Sequence, residues 1–189
     1  RSTWSTRRSA WPTSASPTNP PSVTCTNIPA GIISWWRADG SAQDAVASNH
    51  GTPTSSTPIS SAGFSGQAFQ FNGQGDKIEL NDPPSLRLTN AFTIEAWILA
   101  SNAPAGGHAQ IFFRGDMRGC FDPYYLSLQP NRAIRLHVGA EDPLNPCGVD
   151  LESPAITLND WKHVAGVFDG DEGKMRIYID GALAAEMST

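Results

Sequence analysis

The chain has 189 residues, 39% of them hydrophobic and only 16% charged, with 17 glycines and 15 prolines. That mixture suits one β-rich, loop-rich domain and excludes a helical bundle or a coiled coil. A formal net charge of −5 argues against nucleic acid, which is held by clustered Lys and Arg, and no apolar run is long enough to insert in a membrane.

Residues 1–26 differ from the rest. Sixteen of them are Ser, Thr or Pro, their only charges are Arg1, Arg7 and Arg8, and they show no apolar period. Such a segment buries too little surface to offset its ordering entropy. It reads as a disordered or linker-like leader and lacks the apolar stretch of a signal peptide. Residues 27–189 carry ten basic against eighteen acidic side chains, which favours cations as partners.

From Ile32 onward short strands alternate with turn signals. "IISWWR" (32–37) reads as the first strand, and residues 44–66 as mostly loop. "QAFQFNGQGDKIEL" (67–80) reads as two strands around the Gly-rich turn Asn72–Asp76. In "FTIEAWILA" (92–100) Phe92, Ile94, Ala96 and Ile98 share one face and Thr93, Glu95 and Trp97 the other. A hairpin follows over 109–129 with its loop at 115–123, then "AIRLHVGA" (133–140). "WKHVAGVFDG" (161–170) and "KMRIYID" (174–180) form another hairpin, and Asp180–Gly181 gives a tight-turn dipeptide before "ALAAEM".

In order, "GIISWWRADGSAQDAVASNHGT", "GQAFQFNGQGDKIEL", "FTIEAWI", "WKHVAGVFDG" and "MRIYIDGALAAE" resemble the laminin-G-like modules of the concanavalin A-like lectin/glucanase superfamily, as found in bacterial extracellular proteins. The resemblance implies an all-β fold, a concanavalin A-like jelly-roll β-sandwich of two antiparallel sheets, over residues 27–189. It also implies an incomplete copy, because a full module continues into further strands after Thr189.

The superfamily includes glucanases, which set paired acids along one strand. Retaining glycoside hydrolysis needs two carboxyl groups about 5–5.5 Å apart. The same-face neighbours of Glu95 are Thr93 and Trp97, and "DLE" (150–152) reads as a Pro-bounded loop. No strand is therefore expected to carry two acids at that spacing, and no catalytic residue is assigned. "RGD" (114–116) reads as an ordinary Gly-Asp turn.

Calcium takes six to eight oxygen ligands from carboxylates, carbonyls and water. The 38–51 segment resembles a loop that contributes to a structural calcium site in relatives. The resemblance points to Asp44 as a ligand and to Asn49 more weakly; Asp39 is added from spacing alone. Rim loops at one end of a sandwich carry contacts in binding modules. Arg118, Tyr124, Tyr125, Glu141, Asp142 and Asp150 are accordingly the candidate ligand-binding residues, with aromatic rings for sugar faces and acids for hydroxyls.

Of three cysteines, Cys25 lies in the leader. Pairing of "YYLSLQ" with "AIRLHVGA" would bring the loops of Cys120 and Cys147 to one end of a sheet, so a Cys120–Cys147 disulfide is expected. Together these features point to a non-catalytic extracellular or cell-surface binding module within a larger multidomain protein. Its expected ligand is a carbohydrate or glycoprotein. An architectural protein–protein domain is the alternative, and a glycan-cleaving enzyme the third reading.

Overall fold

The structure is a computed structural model; it describes residues 28–54, 59–115, 120, 122–139 and 147–189, without the side chains of 59–61. The leader, and with it Cys25, falls outside these residues. Residues Ile32–Thr189 form one compact unit.

The strands run β1 (Thr52–Pro53), β2 (Ile59–Ala62), β3 (Gln67–Phe69), β4 (Ile78–Glu79), β5 (Ala91–Leu99), β6 (Ala109–Arg114), β7 (Tyr124–Leu128), β8 (Ile134–Val138), β9 (Val149–Glu152), β10 (Trp161–Asp169), β11 (Lys174–Ile179) and β12 (Ala182–Ser188). A 3-10 turn, Pro84–Leu86, precedes β5. Two four-stranded antiparallel sheets carry the architecture, ordered β12-β11-β10-β5 and β6-β7-β8-β9, with the small pairs β1-β4 and β2-β3 beside them. The concanavalin A-like β-sandwich expected from the sequence is the fold observed.

Period-two alternation builds the core between the sheets. β5 buries Phe92 and half-buries Ile94, Ala96 and Ile98, while Thr93, Glu95 and Trp97 stay exposed. Tyr124, Leu126, Ile134, Leu136 and Leu151 meet Phe92, Val164, Met175 and Ile177 in one buried cluster. Gly166 of β10 leaves room for Leu126 and Leu136 of the facing sheet. A Cβ there would lie 2.9 Å from a Leu126 methyl and 3.0 Å from a Leu136 methyl.

Two local expectations are corrected. Residues 32–37 form no strand, only an isolated bridge between Trp36 and Asp44. Residues 150–152 are not loop but lie in β9, paired with β8. The two strands expected around the 72–76 turn are β3 and β4; β3 pairs with β2 and β4 with β1. The Asp180–Gly181 turn has positive φ at both residues, 51° and 78°, as a tight hairpin requires.

Side-chain hydrogen bonds replace a sheet ladder at 32–37. Asp44 Oδ1 accepts the N–H of Trp35 and of Val46, both at 2.9 Å, and Oδ2 that of Asn49 at 3.3 Å. Asn49 donates to Ser34 Oγ at 2.6 Å, its carbonyl accepts the Trp36 indole N–H at 2.7 Å, and its Oδ1 accepts from Ser85 at 3.0 Å. Ser85 lies in the 3-10 turn, whose Leu86 carbonyl accepts the Tyr124 hydroxyl at 2.5 Å. Hydrogen bonds thus lead from the N-terminal loop through the turn to β7.

Burial alone would raise the Asp44 pKa. The N–H groups of Trp35, Val46 and Ala47 and the Ser34 hydroxyl outweigh it and hold the carboxyl below its ordinary 3.8. A depressed folded-state pKa contributes stability that is fully present above the ordinary value and lost as pH falls through the lower folded one. Asp44→Ala is expected to cost about 1–3 kcal/mol at neutral pH in urea unfolding, a deficit that shrinks as the pH drops below about 4.

Cys120 and Cys147 are joined by a disulfide across 27 residues of sequence. Cys120 precedes β7 and Cys147 precedes β9. Because β7 and β9 both run antiparallel to β8, their starts fall at one end of the sheet. Thiol titration of denatured, unreduced protein should find one free thiol among the three cysteines; three would contradict the bridge. Replacing both bonded cysteines with serine should cost roughly 3–4 kcal/mol on the chain-entropy account.

Candidate functional site

The outward face of the β6-β7-β8-β9 sheet gathers the polar side chains. Pairing aligns Phe113 with Tyr125, Tyr125 with His137, and His137 with Asp150 across the four strands. The next row on this face sets Ser127 beside Arg135 and Arg135 beside Glu152. The same alternation turns Leu126, Leu136 and Leu151 inward to the core.

Arg135 is the centre of the array. Its Nε and Nη2 donate to Glu152 Oε1 at 2.9 and 2.6 Å, and Nη1 lies 3.3 Å from Asp150 Oδ2. It also bonds the Tyr125 hydroxyl. His137 Nδ1 lies 2.7 Å from Asp150 Oδ1, and Asn131 donates to the other Glu152 oxygen at 3.2 Å. The Tyr125 ring stacks on His137 at 4.5 Å and on His108 at 5.4 Å. Below them the Gln129 amide donates to the buried Ser127 hydroxyl at 2.8 Å.

The hydrogen bond with His137 lowers the Asp150 pKa, against burial and with help from Arg135. The bond from Arg135 lowers that of Glu152, again against burial and with help from Asn131. Both carboxylates are therefore fixed as anions, yet 41% and 34% of their side-chain surface stays open. A carboxylate has about four acceptor directions, so this face can accept from hydroxyl groups while Arg135 holds both acids in place.

Asp150 and Glu152 stand two apart on one strand face, which overturns the expectation that no strand carries such a pair. Glycosidic cleavage by two carboxyls needs one of them protonated, with a raised pKa. Here both are depressed. Glu95, on the other sheet, is 62% exposed, with His163 Nε2 at 3.6 Å.

Of the candidate ligand-binding residues, Asp150 lies on this face and keeps part of its carboxylate open. Tyr125 contributes to it as a buried ring whose faces are taken by histidines. Tyr124 is corrected to a core residue: it is 1% exposed and packs on Phe92 at 4.6 Å, because its strand position points inward. Arg118, Glu141 and Asp142 lie outside the described residues. Arg135, His137 and Glu152 were missed by sequence reasoning. The signal was the alternation in "IRLHV" beside "VDLE", hidden once 150–152 reads as loop. Arg114 of the "RGD" is paired with Asp82 at 3.0 Å, and Asp116 lies outside the described residues.

The structure brings Asp44 and Asn49 together but gives them a different task. Both Asp44 oxygens face backbone N–H donors, an arrangement suited to holding the loop and not to a cation. Asp39 instead pairs with Arg37 at 3.0 Å and accepts the Gln67 N–H at 3.3 Å. Among the described residues no cluster of three His, Cys, Asp or Glu side chains could hold a metal.

The chain was compared with known proteins. No curated protein sequence matches it. Domain 4 of a GH43 extracellular arabinanase from Geobacillus stearothermophilus, solved with arabinotriose, has 20% identity and a TM-score of 0.59 over 80% of this chain and 72% of that one. A candidate carbohydrate binding protein from Bacteroides ovatus has 20% identity and a TM-score of 0.40 over 52% of this chain, which spans only 26% of that protein. The CBM40 of the Ruminococcus gnavus IT-sialidase, bound to α2,3-sialyllactose, has 14% identity and a TM-score of 0.39 over 52% of each chain. At these identities the first likeness supports the fold. The model of a family described as concanavalin A-like lectin/glucanases superfamily matches residues 72–189. That is more than half of the chain, which therefore belongs to this superfamily.

Proposed function

We propose that the chain is a non-catalytic carbohydrate-binding module of an extracellular or cell-surface protein, and that it binds a neutral glycan on the outward face of β6–β9. The Arg135-centred array of Asp150, Glu152 and His137 carries the reading, since it presents fixed, partly open acceptors on a rigid sheet. Two anions around one guanidinium make the array net acidic, which favours neutral over anionic sugars. Two observations support the wider reading. Domain 4 of the arabinanase, which shares the fold, was solved with an arabinose oligosaccharide. The disulfide suits an oxidising compartment. Among the described residues no helix is long and apolar enough to cross a membrane.

Neutral oligosaccharides should bind in glycan-array and titration experiments, and Asp150→Ala should weaken binding on this face at least about tenfold. A folded protein that binds no glycan would contradict the proposal and leave the architectural role. No reducing sugar should be released from arabinan or β-glucan, because neither carboxyl is poised as an acid. Turnover abolished by Glu152→Gln or Asp150→Asn would contradict this.

Calcium enters the proposal through its test. With Asp44 itself holding the 38–51 loop, the melting temperature should be the same in millimolar Ca²⁺ and in EDTA. A rise with Ca²⁺ that Asp44→Ala abolishes would restore the metal site, because a ligand that binds only the folded state raises stability.

A further inference from the structure

The β5-β10-β11-β12 sheet carries a second, aromatic surface on its own outward face. Pairing sets Trp97 beside His163 and Leu99 beside Trp161. Trp97 is 45% exposed. The Phe64 ring, from the turn between β2 and β3, lies flat on it, with centroids 3.6 Å apart and planes within 5°. Phe64 also meets Trp161 edge-on at 6.4 Å, and His163 tilts against Trp97 at 5.2 Å. A shallow groove opens between Trp97, Trp161, His163, Asp180 and Gly181.

Polar groups converge on that groove. Asp180, in the β11–β12 turn, accepts the His163 N–H at 3.0 Å and the Lys162 ammonium at 3.1 Å. Lys162 is shared with Asp160 at 2.8 Å. The Glu95 carboxylate lies 3.6 Å from His163 Nε2. Asp180 keeps 46% of its side-chain surface open and Glu95 62%.

We infer that this groove is a second glycan subsite, which stacks a neutral sugar ring on Trp161 and Trp97 and meets its hydroxyls with Asp180, Glu95 and His163. The inference rests on the carbohydrate-binding reading above. Aromatic faces beside a few convergent polar groups are the ordinary make-up of a small-ligand site. An apolar protein partner would bury the Glu95 and Asp180 carboxylates without hydrogen bonds, at a desolvation cost; sugar hydroxyls would satisfy them. Asp160 and Asp180 share Lys162 and Glu95 adds a third carboxylate beside His163, so an acidic sugar is disfavoured. Phe64 is a positioning residue: its stack holds the Trp97 ring upright at the groove wall.

The test titrates the full chain and its Asp150→Ala variant with arabinotriose, laminaritriose and α2,3-sialyllactose, following heat and tryptophan fluorescence. At least one neutral trisaccharide should still bind Asp150→Ala and change its tryptophan emission, and α2,3-sialyllactose should not. Adding Trp161→Ala to that variant should weaken the remaining binding at least about tenfold, and Trp161→Phe should restore most of it. Glu95→Gln, an exposed change that spares the core, should weaken it several-fold and keeps the test open if Trp161→Ala does not fold. If Asp150→Ala abolishes all binding, the carbohydrate-binding reading stands and the second subsite falls. If the wild type binds no neutral trisaccharide, both fall. Residual binding indifferent to Trp161→Ala and Glu95→Gln, or favouring the sialylated sugar, also overturns the subsite.

Discussion

Alternation along β7, β8 and β9 ties the core of this protein to its outward chemistry. Each strand contributes a leucine inward, Leu126, Leu136 and Leu151, and the residues on either side point to the other face. A register slip of one residue would bury Arg135 and Asp150 and expose the leucines. The hydrophobic effect therefore fixes where the charged array stands. Arg135 then fixes how it stands, since it clamps Glu152 through two donors and reaches Asp150 with a third. The acids need no metal to be held as anions, because their hydrogen-bond partners already favour the charged form.

The loops follow the same economy. Asp44 is nearly buried, and its carboxylate gathers N–H groups that would otherwise lack partners. Loop, 3-10 turn and β7 are linked through Asn49, Ser85 and Tyr124. In the same sheet as β7, the Cys120–Cys147 bridge closes the bases of the loops before β7 and β9.

Much of this was legible in the sequence, for a physical reason. β5 shows a strict period of two, and the β10–β11 and β11–β12 hairpins carry Gly173, Asp180 and Gly181 where φ is positive, so these strands and turns announce themselves. The cysteine pairing followed from hairpin geometry once Cys25 was set aside in the leader. The first strand was not legible as absent: Trp35 and Trp36 have strand-like character, and only the partners Asp44 and Asn49, nine and thirteen residues away, divert them. β9 was hidden because four residues before a proline give too short a period to read. With it went Glu152, and with Glu152 the meaning of Arg135 and His137, whose functional character depends on neighbours in the next strand. Tyr124 misled in the opposite sense, since a tyrosine near a loop suggests a rim, whereas its ring is core and only its hydroxyl is spent on a carbonyl.

The central claim is that the face built on Arg135 receives a glycan. The most direct measurement is a crystal structure of the protein grown with a neutral oligosaccharide selected by binding. Density is expected for a sugar residue over β7–β9, with hydroxyls within hydrogen-bond distance of Asp150 and Glu152 carboxylate oxygens and the Arg135 pairs intact. Sugar density confined to other surfaces, with this face bare at saturating ligand, would contradict it.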